Sequence, residues 1–428
     1  MQSLSSWLDY QQRIHPRDIA LGLERVRLVW NAMGAPPAAP VVITVGGTNG
    51  KGSTVAFLEA MLAAAGKRVG CYTSPHLLNY NERVRVAGAD AADAQLIDAF
   101  ERIELARGAT ALTYFEFGTL AALWIFAQSS LDVAVLEVGL GGRLDAVNII
   151  DADAAIVTTV DLDHQDWLGN DRDAIGREKA GIFRSGRAAI VGMPQPPAGL
   201  LGEAARIGPV LLQAGSDFRA QRKAQEWQWQ CAQASLELPL PALAAECQLD
   251  NAAAAIAALY TLRDRLGWDP DAIRAGVRDA HIAARLQHFI KPGAAGLVID
   301  VGHNPQAACV LAAWLTRHPP HARNVAVFGA LADKDVAGIV APLLPLVAQW
   351  HLAALDGDTP RGLSAADLRA RVGVAAPALH EHAGVAAALG AAADAVHEGD
   401  RIFAFGSFFV AAAALRWAAD NGYGEAAN

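Results

Sequence analysis

Residues 41 to 58 read Val-Val-Ile-Thr-Val-Gly-Gly-Thr-Asn-Gly-Lys-Gly-Ser-Thr-Val-Ala-Phe-Leu, and this stretch decides the fold. The β-branched run from Val41 to Val45 predicts a buried strand, and the run that begins at Ser53 predicts a helix. A turn rich in glycine joins the two. Backbone N–H groups in such a turn, together with the first turn of a helix, can bind an anion. The stretch therefore predicts a phosphate-binding loop within an α/β sheet.

The residues of this loop suit the phosphates of a nucleotide. Glycines have no Cβ atom, so the backbone can approach an anion closely. Lys51 supplies a positive charge for the β- and γ-phosphates, and the hydroxyl of Ser53 or Thr54 can bind Mg²⁺. The residues predicted to hold the nucleotide are Gly47, Thr48, Asn49, Gly50, Lys51, Gly52 and Ser53.

The spacing of the loop departs from the common pattern G-x-x-x-x-G-K-[ST]. Its first glycine stands one position too close to Gly50, and Gly52 separates Lys51 from Ser53. A tight turn nucleated by Asn49-Gly50 between two strands is the alternative interpretation. Such a hairpin needs a second strand next, whereas a helical pattern follows. We therefore favour the phosphate loop.

The composition limits the class of protein. The chain has 428 residues, which is too long for one ordinary core, so we expect two or three domains. With 53% hydrophobic and 18% charged residues, the chain does not have the composition of a disordered protein. The formal net charge of -9 argues against a nucleic-acid partner, whose phosphates would need a basic face.

Cysteine usage and the lack of long apolar segments favour a soluble, cytoplasmic protein. The cysteines form no C-x-x-C pair and no zinc-ligand spacing, which is typical of a reducing compartment. The N-terminus lacks the apolar core of a signal peptide. The most apolar stretch, residues 120–127, is too short to cross a bilayer. We therefore expect no membrane partner.

Short β-branched runs alternate with Ala- and Leu-rich helical patterns, which predicts a parallel sheet covered by helices on both faces. In the first part of the chain the predicted strands are 41–45, 68–72, 133–137, 155–160 and 188–192, and the predicted helices are 54–65, 92–107 and 114–128. Residues 208–240 alternate around Trp227 and Trp229 and predict an antiparallel excursion of the hairpin type. A long helix is predicted over 250–266.

A second α/β series begins near Leu297. Its predicted strands are 297–301, 324–329 and 401–405, with a helix over 305–317. The segment Lys291-Pro292-Gly293 interrupts the pattern before this series. We predict a P-loop NTPase-like N-terminal domain over 1–288, with a parallel-rich central sheet, and a smaller Rossmann-like α/β domain over 289–428.

Two polar side chains stand where predicted strands of the first domain end. Glu137 closes the strand 133–137, and His164 follows the strand 155–160. Open α/β sheets place their sites at the carboxyl ends of strands, and a carboxylate beside a phosphate loop is a natural ligand for Mg²⁺. Glu137 as a turn cap and His164 as a surface residue are the plainer interpretations. Their place after buried strands favours the metal site.

The loop over residues 47–53, with glycine between Lys51 and Ser53, resembles that of folylpolyglutamate synthases, which are relatives of the Mur peptide ligases. Further blocks resemble this family in the same order and cover nearly the whole chain; the one at Phe115 is similar to enzymes that are also dihydrofolate synthases. These blocks are Leu21–Val26, Ser74–Leu77, Asn81–Val84, Phe115–Ala122, Leu136–Asp145, Asp161–His164, Glu178–Ile182, Leu249–Ala252, Asp300–Pro305, Asp333–Asp335 and Gly406–Ser407. One departure is Ala284, where the family usually has glycine.

The resemblance implies an ATP-dependent ligase that adds L-glutamate to dihydropteroate and to reduced folates through an acyl phosphate. It implies ATP and Mg²⁺ as cofactors, K⁺ as a further cation, and a monomeric enzyme. The family's matching lysine is often carbamylated, which would make Lys179 an anion that supports a second magnesium ion.

The resemblance also implies roles for individual residues. Magnesium would be bound by Ser53, Ser74, Glu137 and His164; catalysis would use Lys51, Lys179, Asp300 and His303; the nucleotide would also contact Asn251, Arg285 and Asp300; the substrates would contact Arg83, Phe115, Phe117, His303 and Ser407. The pattern alone predicts plainer roles for several of them, because Lys179 reads as a solvated helix lysine and Arg285 as a surface charge. At least one of Phe115 and Phe117 would stack on the pterin, and the spacing leaves open which.

Two other functions compete with the folate ligase. A Mur-type ligase acting on a UDP-linked sugar peptide is disfavoured by Gly52 and by the lack of a recognisable UDP-binding domain before the loop. A non-catalytic nucleotide-binding module would not need the pair Asp300 and His303 in the second domain.

Overall fold

A computed structural model describes residues 3–15, 20–373 and 378–426 of the chain. It contains two compact units, the first made of Met1–Pro241 with Gln248–His281 and the second of Ala242–Cys247 with Ile282–Asn428. Each unit is an α/β structure with a parallel-rich sheet. The predicted fold class is confirmed.

The first unit contains two sheets. Its strands are β1 (Val41–Gly46), β2 (Val69–Tyr72), β3 (Val84–Val86), β4 (Ala89–Asp90), β5 (Val133–Glu137), β6 (Ala154–Val157), β7 (Ala188–Val191), β8 (Val210–Gln213), β9 (Phe218–Arg222), β10 (Glu226–Cys231) and β11 (Ala234–Pro239). Within the described residues, the first eight strands form one sheet in the order β4-β3-β2-β5-β1-β6-β7-β8. All neighbours from β2 to β8 are parallel, and β3 and β4 add an antiparallel edge.

The carboxyl ends of four central strands meet at one edge of this sheet. The register pairs Val45 of β1 with Glu137 of β5, and Tyr72 of β2 with Leu136 of β5. Strand β6 lies on the other side of β1. The loops that follow these strands therefore leave the sheet side by side, where open α/β sheets place their ligands.

The helices of the first unit cover this sheet. They are α1 (Leu4–Ile14), α2 (Glu24–Ala32), α3 (Lys51–Ala64), α4 (Asp93–Arg107), α5 (Tyr114–Ala127), α6 (Gln165–Leu168), α7 (Arg172–Ala180), α8 (Ala198–Ile207), α9 (Cys247–Thr261), α10 (Arg263–Leu266) and α11 (Pro270–Asp279). The helix after the phosphate loop, α3, is fully buried along Val55, Phe57 and Leu58. Because α3 is fixed in the core, the loop at its first turn is held in place.

The segment 208–240 differs in part from its prediction. Strands β9, β10 and β11 form the predicted antiparallel structure, with a third strand added to the hairpin. Trp227 and Trp229 alternate onto one buried face, as predicted. Strand β8, however, joins the main sheet in parallel beside β7, so the antiparallel prediction is wrong for this strand. The exposed Val210 at its start marks it as an edge strand, a position that apolar content alone does not reveal.

Two further elements, one strand and one helix, end at residues other than those predicted. The strand predicted to run to residue 160 ends at Val157, because the side chains of Thr158 and Thr159 bond to the phosphate loop. The single helix predicted over 250–266 is divided at Leu262, where φ is -97° and ψ is 6°.

The second unit contains a mixed sheet with a parallel centre. Its strands are β12 (Gln287–Ile290), β13 (Gly296–Ile299), β14 (Asn324–Phe328), β15 (Gln349–Ala353), β16 (Leu379–His382), β17 (Arg401–Phe405) and β18 (Gly424–Glu425). Their order among the described residues is β16-β15-β14-β17-β13-β12-β18, parallel from β16 to β13 and antiparallel at β12 and β18. The helices are α12 (Pro305–Arg317), α13 (Val336–Val340), α14 (Ala365–Val372), α15 (Val385–Ala395) and α16 (Phe408–Asp420).

Strands β13 and β17 are neighbours at the centre of this second sheet. Ile299 pairs with Ala404, and the N–H of Asp300 donates to the Ala404 carbonyl at 3.0 Å. The loops that begin at Asp300 and after Phe405 therefore emerge together at the carboxyl edge.

No helix in the described part of the chain combines the length and the apolar character that crossing a bilayer requires.

Helix α1, which packs on α4 and α5, buries one side-chain amide that has no hydrogen-bond partner in the described part of the chain. The side chain of Gln11 is 1% exposed, and neither its Oε1 nor its Nε2 has a partner among the described residues. An amide in this state has lost its bonds to water without compensation, which costs free energy.

We predict that Gln11→Leu stabilises the first unit. Removing the unpaired amide should raise the free energy of unfolding by about 1–3 kcal/mol, the usual cost of an unsatisfied buried polar group. Urea unfolding followed by tryptophan fluorescence measures this change. Gln12→Leu, at an exposed position on the same helix, is the control and should change stability by less than about 0.5 kcal/mol. Equal stability of the two variants would contradict the prediction.

Candidate active site

The phosphate loop follows β1 and depends on two glycines with positive φ. Gly47 has φ of 148° and Gly50 has φ of 88°. A Cβ atom on Gly47 would collide with the hydroxyl of Thr158, and one on Gly50 would collide with the side-chain oxygen of Asn251. Both positions therefore require glycine. The contact with Gly50 also places the predicted nucleotide residue Asn251 directly against the loop.

The two threonines after β6 hold the loop in shape. Thr159 accepts the N–H of Thr48 on its carbonyl at 2.8 Å and the N–H of Asn49 on its hydroxyl at 3.0 Å. The hydroxyl of Thr158 donates to the Asn49 carbonyl at 2.6 Å. Sequence reasoning missed both threonines. The available signal was a polar pair directly after the apolar strand that ends at Val157.

Lys51 lies over the loop. Its Nζ donates to the carbonyls of Gly47 at 3.1 Å and of Thr48 at 3.2 Å. Ser53 lies in the same first turn of α3 and is buried, at 2% exposure. The predicted ammonium and hydroxyl groups of the loop are thus both held at the N-terminus of this helix.

The metal-ligand candidates follow neighbouring strands. Glu137 ends β5 and is 5% exposed, and its Oε2 accepts the N–H of Ser74, which follows β2, at 3.1 Å. His164 follows β6 and has a left-handed backbone, with φ of 51°, at the start of α6. The structure therefore brings Ser74 and Glu137 into contact and places His164 in the loop of the strand beyond β1.

These residues fit a divalent cation that is bound together with a nucleotide. Throughout the described residues, no three His, Cys, Asp or Glu side chains converge as a self-contained metal site would require. The donor set here is a buried carboxylate, a hydroxyl and an imidazole beside a phosphate loop. Hard oxygen donors completed by nucleotide phosphates are the usual arrangement for Mg²⁺.

Lys179 is buried in the last turn of α7, with 3% exposure, so its interpretation as a solvated helix lysine is wrong. Burial and, to a lesser extent, the positive charge of Lys51 lower the pKa of its amine to about 7, against the opposite effects of Asp163 and Asp145. Sequence alone did not reveal this burial, because most residues of α7 are polar. An amine with a pKa of about 7 is about half uncharged at pH 7, whereas an ordinary lysine is almost fully charged there.

The glycine-rich segment after β5 packs on the end of α7. Arg143 donates its N–H to the Glu178 carbonyl at 2.8 Å, and its side chain forms an ion pair with Glu178 at the same distance. Asp145, which the sequence analysis did not assign to the site, is 3% exposed and accepts the N–H of Leu140 at 2.8 Å. Burial raises the pKa of Asp145 to about 7 against these hydrogen bonds and the charge of Lys51. The available signal in the sequence was the Leu-Asp pair that ends the block Leu136–Asp145.

Arg83 lies in an aromatic pocket and is 8% exposed. Its guanidinium carbon lies 5.3 Å from the ring centre of Tyr80 and 5.4 Å from that of Tyr114, and its Nε donates to Nδ1 of His76 at 2.9 Å. Burial, and then the charge of Arg83, lower the pKa of His76 to about 4. His76 is therefore neutral near pH 7 and acts here as the acceptor.

The two phenylalanines of α5 have different surroundings. Phe117 is fully buried against Trp7 and Phe100, with ring centres 6.4 and 5.9 Å away. Phe115 is half-buried, and its ring lies so close to Gly139 that a Cβ atom there would be 2.6 Å from it. Phe115 thus packs against the segment that follows Glu137, while Phe117 belongs to the core.

The second unit gathers its own set of predicted residues. Asp300 is 7% exposed and accepts the N–H groups of Leu286 at 2.8 Å and Gly302 at 2.6 Å. Burial raises the pKa of this carboxyl, and Arg285 is the largest opposing influence. His303 donates Nδ1–H to the Val301 carbonyl at 2.9 Å, so Nε2 is its acceptor atom.

Arg285 and His303 both lie near one ring of α16. The guanidinium of Arg285 lies 5.5 Å from the ring centre of Phe408, and the ring centre of His303 lies 6.0 Å from it. Ser407 caps the same helix by accepting the Val410 N–H at 3.1 Å. The structure brings Arg285, Asp300 and His303 together and gives Ser407 a clear structural role beside them.

Two domain families match this chain. The model of the Mur ligase middle domain matches residues 45–259, and the model of the Mur ligase, glutamate ligase domain, matches residues 284–408. Dihydrofolate synthase/folylpolyglutamate synthase from Escherichia coli K12 is 47% identical over 371 residues, which cover 86% of each chain.

Solved structures are similar over almost the entire chain. E. coli FolC in complex with DHPP and ADP has a TM-score of 0.91 and 43% identity, and the match covers 98% of this chain and 99% of that one. A bifunctional folylpolyglutamate synthase/dihydrofolate synthase with Mn, AMPPNP and L-glutamate bound has a TM-score of 0.89 and 42% identity, with coverage of 97% and 98%.

The phosphate loop, the two matched ligase domains and these relatives identify an ATP-dependent acid–amino acid ligase. The chain belongs to the Mur ligase superfamily and, within it, to the dihydrofolate synthase/folylpolyglutamate synthase family.

We predict that Lys179 reacts with carbon dioxide to form a carbamate. The neutral amine attacks the carbon atom and loses a proton, so the reaction needs the form that dominates above the pKa of about 7. Native mass spectrometry of protein held in bicarbonate should show one added carbon dioxide at about pH 8 and less at about pH 6, where the ammonium cannot attack.

Two variants control this experiment. Lys179→Arg should abolish the added mass, and Lys223→Arg, which changes an exposed lysine, should keep it. An unmodified lysine at the higher pH would contradict the prediction.

Proposed function

We propose that this enzyme uses ATP to join L-glutamate to dihydropteroate, forming dihydrofolate, and to reduced folates, forming folylpolyglutamates. The observation that carries the proposal is the carboxyl edge of the first sheet. There the phosphate loop with Lys51 stands beside the contact between Glu137 and Ser74. Relatives that are named as both dihydrofolate synthase and folylpolyglutamate synthase support pterin acids as the substrate class.

Forming an amide from a free carboxylate requires a leaving group, which the γ-phosphoryl group of ATP supplies as an acyl phosphate. Phosphoryl transfer depends mainly on positioning and on neutralising charge. Lys51 neutralises the phosphates, and the N–H groups of the loop position them. Glu137, Ser74, His164 and Ser53 would hold Mg²⁺, which would supply further positive charge for the phosphates.

The acceptor substrate would use residues near the start of α5. Phe115 offers a half-buried ring for the pterin, and Arg83 offers a positive charge for a carboxylate. We assign stacking to Phe115 rather than Phe117 because the latter is enclosed in the core.

The second unit would serve the incoming glutamate and the nucleotide. Arg285 and the buried Asp300 provide opposite charges in one cluster, and Nε2 of His303 is an acceptor for an ammonium group. In this assignment, the first unit binds ATP and the pterin acid, and the second unit, which includes Arg285, binds glutamate and contacts the nucleotide.

Other properties of the enzyme remain proposals. ATP and a divalent metal agree with the ADP, AMPPNP and Mn of the similar structures, and we take Mg²⁺ as the natural metal. We also propose that the enzyme is a monomer, that it lies in the cytoplasm and that it uses K⁺. A Mur-type enzyme acting on UDP-sugar peptides is not favoured, since the similar proteins carry folate names.

We predict that Lys51→Ala abolishes ATP-dependent ligation and leaves the fold intact, because the phosphates lose their positive partner. Phosphate release should be measured with glutamate and, in turn, dihydropteroate, tetrahydrofolate or a UDP-muramoyl peptide. We expect activity with the two pterins alone.

Lys67→Ala is the control for this measurement, since Lys67 lies beyond the C-terminal end of α3. Retained ligation by Lys51→Ala would refute the mechanism. Activity with the muramoyl peptide alone would refute the substrate class.

We predict different effects for the two phenylalanines of α5. Phe115→Ala should raise the KM for dihydropteroate about tenfold or more, the usual effect of losing one base–aromatic stacking contact, with a smaller loss of stability than Phe117→Ala. Phe117→Ala should lower stability by about 3–5 kcal/mol through the cavity it creates. Steady-state kinetics and urea unfolding of both variants test this, and a KM effect confined to Phe117→Ala would reverse our assignment.

A further inference from the structure

The segment from Thr73 to Arg83 connects β2 to β3 and carries two of the proposed site residues. Ser74, at its start, donates its N–H to Oε2 of Glu137 at 3.1 Å. Arg83, at its end, lies in the aromatic pocket. The N–H of Thr73 donates to the Arg83 carbonyl at 2.9 Å, so the two ends of the segment are tied together.

Glu82 holds the middle of this segment. Its Oε2 accepts the N–H of Leu77 at 2.7 Å, and its Oε1 accepts the N–H groups of Leu78 at 2.8 Å and Asn79 at 2.7 Å. No helix or strand passes through residues 74–79, so regular structure offers these N–H groups no partner. Hydrogen bonds from backbone N–H groups to a carboxylate are among the strong ones.

Helix capping explains only part of this arrangement. Glu82 is the third residue of a short 3-10 helix over Tyr80–Arg83, and its bond to the Asn79 N–H completes a capping box. The bonds to Leu77 and Leu78 lie outside that motif and reach back into the segment. They fix the stretch just after His76, the partner of Arg83.

We propose that Glu82 is a positioning residue for acceptor-substrate binding. By binding three consecutive N–H groups it holds residues 74–79 in one conformation. Ser74 is thereby kept against Glu137, and His76 against Arg83. This inference rests on the proposed function, which assigns Ser74 to the metal and Arg83 to the acceptor. Glu82 itself need not touch either substrate.

Loss of the Glu82 carboxylate should affect use of the acceptor substrate but not binding of ADP. Without the carboxylate, the N–H groups turn to water and the segment samples other conformations, so use of the acceptor suffers. The phosphate loop is held by Thr158 and Thr159 and does not depend on Glu82. Binding of ADP without metal should therefore stay unchanged.

The test uses Glu82→Gln and Glu82→Ala in the full-length enzyme, with Glu101→Gln, at an exposed position on α4, as the matched control. The glutamine keeps one acceptor oxygen but places an NH₂ group opposite the remaining N–H groups, and the alanine removes all acceptors. We expect kcat/KM for dihydropteroate to fall about tenfold in Glu82→Gln and about a hundredfold in Glu82→Ala, the scale of a 1 Å misplacement. Hydrogen exchange at residues 77–79 should accelerate in the same order, while calorimetry gives an ADP affinity within about twofold of wild type.

Several other results would count against a positioning role for Glu82. Wild-type kcat/KM or unchanged exchange in both variants would overturn the proposal. A parallel fall in ADP affinity, unfolding midpoint and acceptor use would also overturn it, because it would make Glu82 merely structural. If Glu82→Ala does not fold, Glu82→Gln decides. Failure of the wild-type enzyme to release phosphate with any pterin acid would refute the proposed function instead.

Discussion

The active-site edge of the first unit depends on the close approach of backbone to side chain at Gly47 and Gly50. Any Cβ atom at these positions would occupy the space of Thr158 or Asn251. Because the approach is so close, the loop after β1, the residues after β6 and the start of α9 form one packed layer. The nucleotide phosphates would then meet backbone N–H groups and a helix terminus whose positions are fixed before binding, which is the condition for efficient electrostatic catalysis.

The parallel sheet gives this layer its chemistry. Neighbouring strands deliver a carboxylate at Glu137 and an imidazole at His164 to the edge where α3 begins, although these residues are far apart in sequence. The same arrangement recurs in the second unit, where β13 and β17 deliver Asp300 and Ser407 to one edge. In each unit, neighbouring parallel strands thus bring polar side chains from distant parts of the sequence to one edge of a sheet.

Local patterns in the sequence were sufficient to predict the sheet and the phosphate loop. β-branched runs give the parallel strands, and the glycines between strand and helix give the loop. The burial of individual side chains depends on tertiary packing and could not be predicted from local patterns. The polar sequence of α7 indicates an exposed Lys179, yet its last turn is covered by the segment after β5.

The two phenylalanines of α5 show the same limit. Phe115 and Phe117 are two positions apart on an apolar helix, and only the packing of Gly139 and Trp7 around them separates a half-buried ring from a core ring. Strand β9 was missed because exposed polar residues such as Arg219 and Gln221 hide the alternation. The block Leu136–Asp145 draws attention to Asp145, but the burial that raises the pKa of its carboxyl is not predictable from the local sequence.

The hydrogen bonds of Lys51 set a threshold for ligands of the loop. Its ammonium group donates to the carbonyls of Gly47 and Thr48. An entering anion must therefore displace two internal bonds before it gains the lysine's charge. A polyphosphate, with several charged oxygens, outcompetes these carbonyls more readily than a single carboxylate or chloride ion. We therefore expect the loop to favour ligands of high charge density.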